Sequence, residues 1–298
     1  MTLSEDEAYT FITDVLKLTD AREKLISNRV KFLDDLIKAH HSVVPFQNVT
    51  LLSQPIEERH VPTWNDIKAA VMGGYGGLCY TLAGFMKALL AALGYDVHFA
   101  SGAIFYPNNH VTVIVNNLTF SGSLHMVDLS GYPTFEVIPL NFEKESPEYN
   151  HCFLRYKFMR ADSSVIWRMH RMELELDRPL VPEHEYITPD GWRRVCVIDV
   201  TPREFSSFYD TMDILYTRPE INSSPFLKGY RAVWFPDLKL VAVKNFIFRI
   251  EHEQGKEDRR LINTQEEMIA IMSAHFPSIL LPHVKRALDH LRMFVSST

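Results

Sequence analysis

With 298 residues, 46% of them hydrophobic and 23% charged, the chain has a globular composition and is too long for one ordinary core, so two or three units are expected. A net charge of −6 removes the electrostatic ground for nucleic acid as the main partner, because phosphate binding needs a basic face. The acidic start Met1-Thr-Leu-Ser-Glu-Asp-Glu7 lacks a secretory pattern and no stretch reaches the roughly 18 apolar residues of a spanning helix, so a cytoplasmic protein without membrane contact is expected.

The first third reads as helical. Ser4 and Glu7 form a capping box ahead of Phe11, Ile12, Val15 and Leu16, whose spacing fits one helical face. A second periodic run, Leu25 to Ile37, stops before Val43-Val44-Pro45, because the residue preceding a proline is pushed toward extended backbone. Thr63 and Asp66 open a short helix that ends at Gly73-Gly74. The stretch Gly76-Gly-Leu-Cys-Tyr80 then leads a glycine-rich loop straight into an apolar helix that Gly94 terminates, and Cys79 falls in its first turn.

From Tyr95 the pattern changes to β-branched runs at Val97 to Phe105, Val111 to Val115, His125 to Leu129, Val137 to Leu140, Cys152 to Met159 and Val165 to Leu176. Their short spacing predicts an antiparallel sheet or small barrel. The third unit starts near Val195, with a helix at Phe205 to Tyr216 and strands around Tyr230 to Phe235 and Lys239 to Ile250. A capping box at Thr264 and Glu267 and a terminal helix from His283 to Phe294 complete it.

Three scattered cysteines make neither a disulfide framework nor a zinc site, and no His-Glu-x-x-His pattern points to a metal. Cys152 and Cys196, in apolar strand-like runs, read as core. Cys79 differs because the unpaired N–H groups and dipole of a helix start favour the thiolate. A thiolate nucleophile wants an imidazole beside it and a third group that fixes the imidazole's tautomer. His110 opens the strand Val111-Thr-Val-Ile-Val115, and Asp128 follows Met126-Val127 on the next strand. A hairpin through Asn116-Asn117 and Ser121-Gly-Ser123 brings the two to one side of the sheet. His40-His41 reads as a polar last helical turn favoured by the dipole, and Arg193-Arg194 and Arg259-Arg260 read as solvated doublets. Gly73-Gly-Tyr-Gly-Gly77 lacks the lysine and hydroxyl of a nucleotide P-loop.

These residues resemble the arylamine N-acetyltransferase family over nearly the whole chain. Gly76-Gly-Leu-Cys-Tyr80 looks like its glycine-glycine-x-cysteine signature, and Pro45-Phe-Gln-Asn48 like its proline-phenylalanine-glutamate-asparagine motif. His110-Val-Thr-Val-Ile-Val115 and Val127-Asp128 look like its histidine strand and valine-aspartate pair, and Arg218 to Phe226 like its serine-proline-phenylalanine segment. The resemblance implies an α+β fold: a helical bundle over 1–94 with the nucleophile, an antiparallel β-barrel over 95–194 with His110 and Asp128, and an α/β lid over 195–298. The Cys-His-Asp arrangement would be that of cysteine proteases. It further implies that Cys79 takes an acyl group from acetyl-CoA, or another acyl-CoA, and passes it to a small-molecule amine in a ping-pong cycle without a metal. His110 would pair with the thiolate and Asp128 would orient His110. Ser223 and Ser224 would line the cofactor cleft, and Phe46, Tyr75, Gly131 and Tyr132 the acceptor pocket.

The departures concern the acceptor side. Tyr75 stands where the family has arginine and Gln47 where it has glutamate, so an ion pair is replaced by a neutral, mutually compensated pair. Thr81 and Ala83 replace a glutamate or glutamine and an asparagine, and Leu129-Ser-Gly-Tyr132 replaces glycine-phenylalanine-glycine. The same trio also serves an amide synthase, a thiol hydrolase, or a binding protein that keeps the fold without chemistry.

Overall fold

The computed structural model describes residues 1–104, 106–171, 186–221, 225–253, 255–292 and 294. It is an α+β structure with a helical N-terminal part, an eight-stranded antiparallel sheet and a second, five-stranded sheet covered by C-terminal helices.

The N-terminal helices are α1 (Glu5–Thr10), α2 (Ala21–Ser27), α3 (Arg29–Val43), α4 (Val49–Leu52), α5 (Trp64–Met72) and α6 (Cys79–Ala92). Ser4 accepts from the Glu7 N–H while the Glu7 carboxylate accepts from the Ser4 N–H, and Thr63 and Asp66 repeat the arrangement on α5. The periodic run expected from Leu25 to Ile37 is two helices. Asn28 is extended, and its side chain accepts from the Lys31 N–H, so it ends α2 and caps α3. α3 then continues to Val43. α6 is buried nearly all round because it lies between α5 and the strands behind His110, and Gly94, at φ +76°, turns the chain out of it.

The eight-stranded sheet has the order β5-β4-β3-β2-β9-β8-β7-β6. Its strands are β2 (Asp96–Ala103), β3 (His110–Asn116), β4 (Leu124–Val127), β5 (Ile138–Pro139), β6 (Tyr149–His151), β7 (Leu154–Arg160), β8 (Val165–Arg171) and β9 (Trp192–Arg203). β9 runs across the expected division at 194/195, pairing with both β2 and β8. One face packs on α6, and the other carries a core around Phe135, Tyr156, Phe158 and Ile198.

The five-stranded sheet has the order β1-β10-β11-β12-β13. β1 is only Phe46–Gln47; the others are β10 (Arg231–Trp234), β11 (Val241–Lys244), β12 (Ile247–Glu253) and β13 (Lys256–Leu261). The strand expected over Lys239 to Ile250 is a hairpin, because Asn245 turns the chain at φ +53°. A 3-10 turn at Phe205–Phe208 leads into α7 (Tyr209–Thr217), and α8 (Pro225–Lys228) follows. α9 (Gln265–His275) and α10 (Leu281–His290) close a core with Tyr230, Val243 and Met268. Among the described residues no helix is long and apolar enough to cross a membrane.

Candidate active site

Cys79 is the first residue of α6, after an extended Leu78 whose side chain makes no capping bond. The unpaired N–H groups of that turn therefore face the thiol end of the helix. The loop before it is held by close backbone approach. Gly76 adopts φ +72°, and a Cβ there would collide with the Pro45 carbonyl oxygen. Gly77 donates its N–H to that oxygen at 3.3 Å, and its own carbonyl accepts from the Gln47 N–H at 3.1 Å. Gln47, almost fully buried, donates from Nε2 to the Tyr75 carbonyl at 3.1 Å and to Thr50 Oγ1 at 2.9 Å, while its Oε1 accepts from the Thr50 N–H at 3.0 Å.

His110 opens β3 and is buried. Its Nε2 lies 3.2 Å from Asp128 Oδ2, and Cys79 is near enough to the ring to favour its protonated form, with Nδ1 the nitrogen that Asp128 leaves unengaged. Asp128 sits one residue past β4, whose ladder aligns Val127 with Val113 of β3. Burial alone would push the His110 imidazole down. The Asp128 charge, its hydrogen bond and the contact with Cys79 outweigh it and hold the ring well above its ordinary range. Burial would likewise raise Asp128, but His110, Arg168 and the Ser130 N–H, which donates to Oδ1 at 3.0 Å, hold it well below the usual carboxylate range. Cys79, His110 and Asp128 thus stand near one another, with His110 hydrogen-bonded to Asp128 and interacting with Cys79.

Sequence reasoning missed Arg168 of β8. It is buried, donates from Nη1 to Asp128 Oδ2 at 3.1 Å, from Nε to His170 Nε2 at 3.0 Å and from Nη2 to the Pro133 carbonyl at 3.4 Å. The available signal was parity: Ile166, Arg168 and His170 share one face of the strand, and Ile166 is core.

The other expected site residues divide. Phe46 is buried, stacks edgewise on Phe226 at 5.9 Å, and lies so close to Gly131 that an added Cβ there would be 3.1 Å from its Cδ1. Tyr132 packs against the His170 ring at 4.9 Å. Tyr75 is at the surface with its ring over Gly73, so Gln47 meets its main-chain carbonyl and not its phenol, and the two neutral replacements are no side-chain pair. Ser223 and Ser224 lie outside the described residues.

Three further expectations are corrected. His40 and His41 are buried, not a solvated helix end; Phe11 lies by one and Phe135 and Phe235 by the other, and burial pushes them down to about 3 and about 4. Arg193 is buried in β9, because the strand is covered on both faces there. Cys152 is not in a strand: it makes the turn between β6 and β7 at φ +58°, half-buried, and its thiol bonds the buried Glu251 carboxylate of β12. Cys196 is buried in β9 as expected. Among the described residues no group of His, Cys, Asp and Glu is arranged to hold a metal ion.

Comparison with known proteins agrees with this architecture. A family model described as N-acetyltransferase matches residues 29–281. The arylamine N-acetyltransferase of Mycobacterium marinum, 17% identical, superposes with a TM-score of 0.70 over 94% of this chain and 97% of its own. Its complex with CoA gives 16% identity and 0.70 over the same shares. The arylamine N-acetyltransferase of Nocardia farcinica gives 19% and 0.71 over 99% of this chain and 94% of its own. At these identities the likeness is one of fold. The comparison with curated proteins returned no match.

Proposed function

The chain belongs to the N-acetyltransferase family, and on that premise we propose that it carries an acetyl or other acyl group from coenzyme A to an amine-type acceptor through a thioester on Cys79. In the first half-reaction the Cys79 thiolate attacks the acyl carbonyl carbon. The bond from that carbon to the coenzyme sulfur breaks, and the sulfur leaves with the proton held on His110. In the second, the acceptor nitrogen attacks the acyl-enzyme, the Cys79–acyl bond breaks, and the surplus amine proton passes to His110, which restores the ion pair. Asp128 keeps the imidazole turned with Nδ1 toward the sulfur.

The observation that carries this reading is the placement of His110 between Asp128 Oδ2 and Cys79, with Cys79 at the first position of α6. A binding module has no need of a thiol, an imidazole and a carboxylate in this order. The CoA-bound Mycobacterium marinum enzyme of the same fold supports an acyl-CoA as donor. In this reading residues 1–94 supply the nucleophile, 95–194 the histidine and aspartate, and 195–298 the cover over the donor, with Ser223 and Ser224 beside it. Phe46, Gly131 and Tyr132 face the acceptor, Tyr75 lies at the rim, and the enzyme works in the cytoplasm.

Intact-protein mass after mixing with a panel of acyl-CoA compounds tests the reading. An adduct that maps to Cys79, is absent in Cys79→Ser and is discharged by amines faster than by water is the expected result. An adduct on Cys152 or Cys196, or none, refutes it, and discharge by water alone makes the protein a hydrolase.

A further inference from the structure

The Asp128 carboxylate is shared. Its Oδ2 accepts from His110 Nε2 at 3.2 Å and from Arg168 Nη1 at 3.1 Å, with both partners buried. The geometry of Arg168 is over-determined. Its Nε is held by His170 and its Nη2 by the Pro133 carbonyl, and its plane lies over Tyr156 at 4.6 Å and Tyr132 at 5.7 Å. A guanidinium fixed on four sides is not a surface cation folded inward; it is built into the site.

We propose that Arg168 is a positioning residue that balances the charge of the Cys79, His110 and Asp128 series and thereby sets the pH range in which the thiolate and imidazolium coexist. This rests on the functional reading above. A thiolate and an imidazolium cancel each other, which leaves Asp128 as one buried negative charge. Arg168 brings the sum to zero, and by sharing Oδ2 it also limits how strongly Asp128 holds the His110 proton. Both effects act through Asp128, since Arg168 meets neither the sulfur nor its reactants in the described contacts.

The groups packed around the pair come from every neighbouring element. They are Cys79 of α6, His110 of β3, His41 of α3, His151 of β6, Tyr156 of β7, His170 of β8, and Tyr132 of the segment after β4. Burial holds His41 at about 4, and burial with the Arg168 charge holds His151 at about 4, so both stay neutral through the physiological range. Burial pushes the Tyr156 phenol upward, so it too is neutral there. Among these described neighbours Arg168 alone carries a permanent positive charge.

Removing a positive charge makes every neighbouring proton harder to lose. In Arg168→Met both the Cys79 thiol and the His110 imidazolium should therefore deprotonate at higher pH. The experiment follows the rate of Cys79 alkylation by iodoacetamide against pH, with the adduct mapped by mass, in the full chain. The wild type is expected to show two inflections, a lower one where the ion pair forms and an upper one where the imidazolium is lost. In Arg168→Met both should move upward by roughly one pH unit. Arg168→Lys, which keeps the charge, should bring them back toward the wild-type positions. If Arg168→Met does not fold, Arg168→Gln is also neutral and carries the same expectation, and thermal unfolding identifies which variant to use. Inflections that stay in place or move to lower pH, with only the rate reduced, would leave Arg168 a purely structural residue and overturn the proposal. That result would leave the functional reading standing, whereas a single wild-type inflection in the ordinary thiol range would overturn both.

Discussion

Gly102 and His110 face each other across the β2–β3 ladder with no room for a side chain between them: a Cβ at 102 would lie 2.9 Å from both Cβ and Cδ2 of His110. The imidazole reaches Asp128 and Cys79 from a position that only a glycine neighbour leaves open. Gly102→Ala should turn the ring out of line and slow Cys79 alkylation at pH 7 by about tenfold or more, because small misplacements of catalytic groups are costly. The melting temperature, measured beside the rate, should fall by only a few degrees. An unchanged rate would mean that the ring has freedom to spare.

Gly76 supports the other end of the site. Its φ of +72° disfavours any side chain, and the Pro45 carbonyl fills the space where a Cβ would go. Gly76→Ala is expected to destabilise the protein by about 2 kcal/mol or more in denaturant unfolding and to reduce acylation of what remains folded. Gly74 has a similar φ, +73°, but open space around it, so Gly74→Ala should cost about 1 kcal/mol and leave acylation intact.

His40 should make stability fall in mild acid. Burial, with a smaller contribution from His41, lowers its folded value to about 3, and neither ring nitrogen has a hydrogen-bond partner among the described residues. Below about pH 6.5 the unfolded chain takes up a proton that the folded one refuses, so the stability present above that pH is lost progressively down to about 3. At pH 5 the loss from this residue is roughly 2 kcal/mol. His40→Leu should flatten the curve between pH 6.5 and 4 in urea unfolding and be more stable than the wild type at pH 5. Parallel curves for the two proteins would place the acid sensitivity elsewhere.

Gln47→Glu should destabilise by about 2–4 kcal/mol, because a carboxylate cannot donate to the Tyr75 carbonyl and would stand as an unpaired charge in a buried position. Tyr75→Arg, at an exposed site, should change stability by less than about 0.5 kcal/mol. Since Gln47 meets only the main chain of Tyr75, the double variant should be close to the sum of the two. A strong coupling in the cycle would show the new arginine turning inward to the new carboxylate.

What the sequence disclosed was local chemistry. The capping boxes at Ser4 and Thr63, the glycine that ends α6, and the turn residues that fold β3 onto β4 act over a few positions, so Cys79, His110 and Asp128 could be placed before any tertiary contact was known. Arg168 could not be placed in that way. The strand Val165–Arg171 holds three basic residues, and nothing local says which of its two faces turns to the core; that is set by pairing with β7 and β9. The burial of His40 and His41 was hidden for a related reason. A helix end looks solvated until Phe135 and Phe235, distant in sequence, close over it. Asn28 and Asn245 interrupt regular elements by single left-turning or extended residues, which periodicity alone does not register.

The two-residue strand Phe46–Gln47 ties the order of synthesis to the assembly of the site. It pairs with Val233 and Ala232, and Asn48 next to it donates to the Phe226 and Gly229 carbonyls and accepts from the Arg231 N–H. The loop bearing Gly77 leans on this same strand. A ribosome-bound chain that ends before residue 231 therefore holds every member of the Cys79, His110 and Asp128 series, and Phe46–Gln47 as well, but lacks β10, the strand against which Phe46–Gln47 and the loop leaning on it are held. For the proposed activity, competence should therefore arrive only after the C-terminal hairpins emerge, and chains cut before residue 231 should show slowed Cys79 alkylation although the three residues all lie upstream of the cut.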